Sequence, residues 1–203
     1  MNKISEKINE YKGRVKEWVI NNADTKAVQA GLAVVSFTES SFFLVPPDLL
    51  LIPIILVNKG RRWIYYVSLT TITSVLGGAL GYLIGLYFFD TFGEMIVRAL
   101  GLEKELIYVG ELFRDNAFWA IFTAAFTPIP YKIFTIGAGL FKIDFFVFII
   151  ASIIGRGMRF FLVGYITATF GERATELVLE YFSIVVYSIL AIIAVYLSFK
   201  FFS

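Results

Sequence analysis

Five ionisable side chains stand inside stretches that are otherwise apolar: Glu39, Asp48, Lys132, Arg156 and Arg159. On membrane-insertion scales a central Asp, Lys or Arg costs about 2.5–3.5 kcal/mol, whereas a Leu or Phe returns only about 0.3–0.6 kcal/mol. Facing lipid together, the five would cost about 12–17 kcal/mol, so they must face one another or water. Arg156 and Arg159 are three apart and share one helix face. Guanidinium forks match phosphate oxygens, so Arg156, Arg159 and Lys132 form a substrate-binding set suited to a phosphate-bearing head group. Glu39 and Asp48 are the matching proton- or cation-coupling pair. An ion-pair network that only fastens the fold is the competing reading. Histidine and cysteine are absent, which removes the commonest general base, thiolate nucleophiles and disulfides. The expectation is therefore no catalytic residue, metal site or cofactor, and not an enzyme.

Two interrupted apolar segments must position these charges. In residues 37–57, FTESSFFLVPPDLLLIPIILV, the Pro46-Pro47-Asp48 break separates two arms of about nine residues. At about 1.5 Å per residue each arm reaches about 13–15 Å, half of a hydrocarbon core about 30 Å thick. Proline removes a backbone donor and clashes with the preceding turn, which makes Pro46 and Pro47 the tip of a re-entrant hairpin. A kinked crossing that begins near residue 27 is the rival. Residues 117–141 repeat the plan, with Pro128 and Pro130 of TPIPYK as the second tip. In each half a longer hydrophobic segment follows the break. Paired interrupted segments point to an inverted-repeat transporter with a central site, and broken backbone at that depth must be buried in protein or line a wet cavity.

The composition agrees. Of 203 residues, 58% are hydrophobic and 17% charged, with mean hydropathy +0.77, against about 25% charged in soluble domains. A net charge of +2 without a basic patch argues against nucleic acid. The expected fold is an all-α integral membrane protein with two opposed re-entrant helical hairpins, an N-terminal amphipathic helix and about three transmembrane helices, near 63–89, 145–170 and 181–199. Residues 1–26 carry Ile4, Ile8, Tyr11, Val15, Trp18 and Val19 at helical spacing and are expected to lie on the membrane, ahead of a single membrane domain over 27–203. Residues 90–116 read as a charged connector with short surface helices, and 171–180 as a polar connector. Gly77, Gly81 and Gly85 make a small-residue stripe for close helix packing, within the chain or in a homo-oligomer. With both hairpins re-entrant, ten Lys or Arg fall on the side of the N-terminus and five on the other, which predicts a multi-pass protein of the cell membrane with a cytoplasmic N-terminus.

These motifs resemble a known family. Glu39, Phe43 and Pro46-Pro47-Asp48 in the first segment, TPIPYK with Ile136-Gly137-Ala138-Gly139 in the second, and Gly155-Arg156 with Gly164-Tyr165 are similar to the DedA family. This is the SNARE-associated Golgi or VTT-domain group, and TPIPYK resembles its YqaA-like branch. The resemblance implies two opposed re-entrant hairpins and movement of lipids between leaflets, including phospholipids and polyprenyl phosphate carrier lipid, in some members coupled to protons. It places Glu39 and Asp48 at the family's acidic positions. Ala125 and Tyr131 stand where many members carry arginine, so Lys132, Arg156 and Arg159 are expected to supply the positive charge.

The reading that follows is a lipid flippase or scramblase whose partners are membrane lipids and protons. A proton-coupled transporter of a small ion or solute and a structural membrane scaffold are the alternatives.

Overall fold

The computed structural model describes residues 25–42, 45–88 and 103–202, without the side chains of 103–108, 189–190 and 192–202. The amphipathic segment expected over 1–26 lies almost wholly outside the described residues. Among those described, the chain forms eight α-helices and no strand. They are α1 (Lys26–Ser41), α2 (Asp48–Val57), α3 (Trp63–Phe88), α4 (Glu103–Asp115), α5 (Ala117–Phe126), α6 (Tyr131–Leu140), α7 (Phe145–Phe170) and α8 (Glu172–Phe202). Helices α3 and α7 are each long and apolar enough to cross a membrane: 26 residues rise about 39 Å, more than a core of about 30 Å.

Both proline pairs break helices. The first break separates α1 from α2, whose cap is Pro47 and whose first residue is Asp48. In the second, Thr127 to Pro130 separates α5 from α6. The first arm differs from the expected one, since α1 starts at Lys26 and stops at Ser41, four residues short of Val45. Backbone next to proline is pushed out of the helical region at Val45. The Ser41 hydroxyl is already drawn sideways, donating to the Phe37 and Gly77 carbonyls at 2.8 Å each. The arms are thus unequal, 16 residues in α1 against 10 in α2.

Helix packing has the same plan in both halves. α3 lies along α1 and α6, α7 lies along α5 and α2, and the two long helices pack on each other. Exchanging α1–α3 for α5–α7 leaves these main contacts unchanged. Small residues permit the close approaches. A Cβ on Gly77 would run into the Phe37 carbonyl of α1, and one on Gly85 into the Ile136 carbonyl of α6. In the other half a Cβ on Gly155 would meet the Phe122 carbonyl of α5 at 2.9 Å. The glycine stripe of α3 thus serves packing within the chain.

The chain reverses between α7 and α8 at Gly171 alone, where φ is 81° and ψ is −175°, a region open essentially to glycine. Residues 172–180, expected as a polar connector, are helical instead: α8 begins at Glu172. An acidic residue in a first turn suits the positive helix end. The Thr175 hydroxyl donates to the Gly171 carbonyl at 2.9 Å and lies 3.0 Å from the Thr167 hydroxyl, closing the corner.

Two apolar clusters fill the interior. One joins Leu32, Leu51, Ile54, Tyr66 and Phe160, the other Ile121, Ala125, Tyr131, Ala138 and Phe148. Along α7, Phe148 belongs to one cluster and Phe160 to the other. The charged layer falls between them, near the middle of both long helices.

Candidate functional site

Ser74, near the centre of α3, and Arg156, near the centre of α7, begin the site. Serines on α1 recur on its α3-facing side: Ser36 Oγ donates to the Thr70 carbonyl at 2.7 Å, and Ser40 Oγ lies 2.7 Å from Ser74 Oγ. This zipper brings Glu39 to the centre of the molecule. Arg156 Nε donates to Ser74 Oγ at 2.6 Å and Nη2 donates to Glu39 Oε2 at 2.7 Å. The guanidinium carbon lies 5.0 Å from the Tyr131 ring centre and 4.6 Å from that of Phe160, so two aromatic faces hold the cation. Tyr131 in turn donates its hydroxyl to Ser152. With 3% of its surface exposed, Arg156 is enclosed and well partnered.

Arg159, one turn along α7, is held differently. Nη2 donates to Asp48 Oδ2 at 2.8 Å and Nη1 to the Thr127 carbonyl at 2.9 Å. A single side chain therefore ties the first proline break to the second. Its Nε and the Asp48 Oδ1 are buried without a hydrogen-bond partner. An unmet buried polar group costs about 1–3 kcal/mol, so this pair retains unused capacity for a ligand.

Glu39, Asp48, Arg156 and Arg159 line one cavity of about 290 Å³, together with Pro46, Pro47, Pro128 and Pro130 from the two breaks. Leu179, Phe182 and Ser183 of α8 close its side, and Tyr187 donates its hydroxyl to the Pro128 carbonyl at 3.3 Å. Lys132 does not line this cavity. Successive helical residues point about 100° apart, and since Tyr131 turns inward beneath Arg156, half-buried Lys132 is turned elsewhere. Four of the five expected charges thus converge, and they do so as two carboxylate–guanidinium pairs.

Sequence reasoning missed Ser40, Ser74 and Phe160 as parts of the site, and it took Tyr131 only as a lost arginine. The signal for the serines was available: Ser36 and Ser40 on α1, like Thr70 and Ser74 on α3, are polar residues four apart inside apolar helices.

In chemical terms the cavity holds two carboxylates and two guanidinium groups in a site lined otherwise by proline, apolar side chains and the Ser183 hydroxyl.

The VTT domain family model matches residues 45–169, from the first proline break through α7. An uncharacterised protein of Haemophilus influenzae is 36% identical over 168 residues, covering 82% of this chain and 86% of that protein. One from Histophilus somni is 35% identical over 170 residues, 83% of this chain and 88% of its own length. A third, from Methanocaldococcus jannaschii, is 26% identical over 129 residues, 64% of this chain and 77% of that protein. No solved structure gives a significant match. With the proline breaks, the charged pairs on α7 and the matched region in agreement, the chain belongs to the VTT-domain family, the DedA group of membrane-associated proteins.

Proposed function

We propose that this protein moves a phosphate-bearing lipid, a phospholipid or a polyprenyl phosphate, between the leaflets of the cell membrane as a flippase or scramblase. In this reading the two broken segments are re-entrant hairpins of an inverted repeat, α3, α7 and α8 cross the bilayer, and the N-terminus is cytoplasmic. The observation that carries it is Arg159: a guanidinium near the middle of a long apolar helix, incompletely paired, that joins both breaks on the wall of a shared cavity.

The working step is an exchange of counterions. In the empty site Asp48 satisfies Arg159. A phosphate entering the cavity takes over the guanidinium, which binds phosphate oxygens through parallel N–H donors. Released Asp48 then takes up a proton or a cation, because a bare buried carboxylate beside an anion is costly. Transfer of the Arg159 fork also loosens its bond to the Thr127 carbonyl, so head-group binding relaxes the tie between the breaks. Arg156, by contrast, is built in; for that residue the structural role is favoured by its burial, its ring contacts and its bonds to Ser74 and Glu39.

The test is leaflet exchange of head-group-labelled phospholipid and labelled polyprenyl phosphate in proteoliposomes, with uptake of inorganic phosphate measured on the same vesicles. Lipid exchange above that of protein-free vesicles supports the reading. Phosphate uptake without lipid exchange would replace it with solute transport.

A further inference from the structure

Beside the charged cavity lies a second, apolar one of about 180 Å³ in the seam between α7 and α8. On α7 its wall is Arg159, Leu162, Val163 and Ile166; on α8 it is Thr175, Val178, Leu179 and Phe182. Both sets follow the spacing i, i+3, i+4, i+7, so each is one stripe of a helix. The two antiparallel stripes face each other without closing. At the Gly171 end the Thr167 and Thr175 hydroxyls pin the helices together. At the other end Arg159, Leu179 and Phe182 belong to both cavities, and the seam runs directly into the charged site.

We propose that this seam holds the first stretch of one hydrocarbon chain of the lipid whose phosphate enters the charged cavity. The proposal rests on the functional reading above and adds where the tail goes. Water is a poor occupant, since it needs two to four polar partners, and the Thr175 hydroxyl is already engaged. A helix of another chain, about 10 Å across, is too wide for a space about six times the liquid share of one water. An amphiphile fits both ends: an anion at Arg159 and an apolar chain running about 10 Å along α7 toward Ile166. Entry is from the side, because Val178 on the wall is 46% exposed. Among its described side chains α8 buries only Thr175, which leaves this helix the most lightly held wall of the site. Together the two cavities fall in the ordinary size range of ligand sites, about 300–1,000 Å³.

The experiment is photolabelling of the full chain in lipid nanodiscs with two probes. Dodecyl phosphate carrying a diazirine on its fourth carbon reports the tail, and 4-azidophenyl phosphate reports the head group; adducts are mapped by peptide mass spectrometry. The expected result is head-group adducts near Asp48 and Thr127 and tail adducts on 159–182. The tail adducts should fall at least tenfold in Val178→Trp and in Ile166→Trp, each of which fills the seam. Head-group adducts with tail adducts outside 159–182, or tail adducts unchanged in both tryptophan variants, would overturn the seam alone. Failure of 4-azidophenyl phosphate to label the charged cavity would overturn the head-group reading, and the seam with it.

Discussion

Arg156 and Arg159 stand three residues apart on one face of α7 and pair with the two acids of the same broken segment, yet only Arg156 is completely enclosed. It bonds to Ser74 and Glu39 and lies between the rings of Tyr131 and Phe160. Arg159 bridges Asp48 and the Thr127 carbonyl and keeps a buried Nε without a partner. Adjacent turns of one helix thus carry one buried cation in contact with two acceptors and two rings, and one with a buried donor left unpaired.

That division predicts different costs. Arg156→Ala removes a buried cation together with its bonds to Ser74 and Glu39 and its packing between the Tyr131 and Phe160 rings, and should lower stability by about 3–5 kcal/mol. Glu39→Gln keeps an acceptor for Nη2 and should cost less than Arg156→Ala. Arg159→Gln gives up only the bonds to Asp48 and the Thr127 carbonyl, from a side chain more exposed than that of Arg156, and should also cost less. Thermal unfolding of the purified variants in detergent measures the order.

Ser74 links α1, α3 and α7 through Ser40 and Arg156. Ser74→Ala removes the acceptor for Arg156 Nε and a partner of Ser40, and should cost about 1–3 kcal/mol. Ser183→Ala, on the cavity wall but outside this network, should change stability by less than about 0.5 kcal/mol. Chemical denaturation of both variants against wild type decides this.

The glycines separate into two kinds. A leucine at Gly85 would drive into the Ile136 carbonyl, backbone that cannot move without shifting α6, so Gly85→Leu should prevent recovery of folded protein in size-exclusion chromatography. Around Gly171 there is open space and a φ of 81°. Gly171→Ala should therefore fold and lose only about 1–3 kcal/mol, from backbone strain.

Much of this was legible in the residues themselves. Proline pairs dictate breaks whatever surrounds them, and charges inside apolar stretches have to converge, so Glu39, Asp48, Arg156 and Arg159 could be grouped before any fold was known. Their pairing could not be read: which acid meets which arginine depends on the serine zipper that sets the register of α1 on α3. Lys132 was grouped with them because it follows the second break, but the side of α6 it occupies is decided by Tyr131 packing under Arg156. The start of α8 was hidden because residues 172–180 are polar enough for a loop, and the Thr167–Thr175 contact that holds the corner joins residues on two helices. Fixing register and corner takes tertiary contacts, which local pattern does not contain.

The central claim is that Arg159 gives up Asp48 to hold a lipid phosphate, and leaflet exchange of a labelled phosphate-bearing lipid by wild type, Arg159→Gln and Asp48→Asn proteoliposomes tests it most directly. The account predicts exchange by wild type, a rate at least tenfold lower in Arg159→Gln with the fold retained, and an altered rate in Asp48→Asn, where the competing carboxylate is gone. Exchange by folded Arg159→Gln at the wild-type rate, or none by folded wild-type protein, would contradict it.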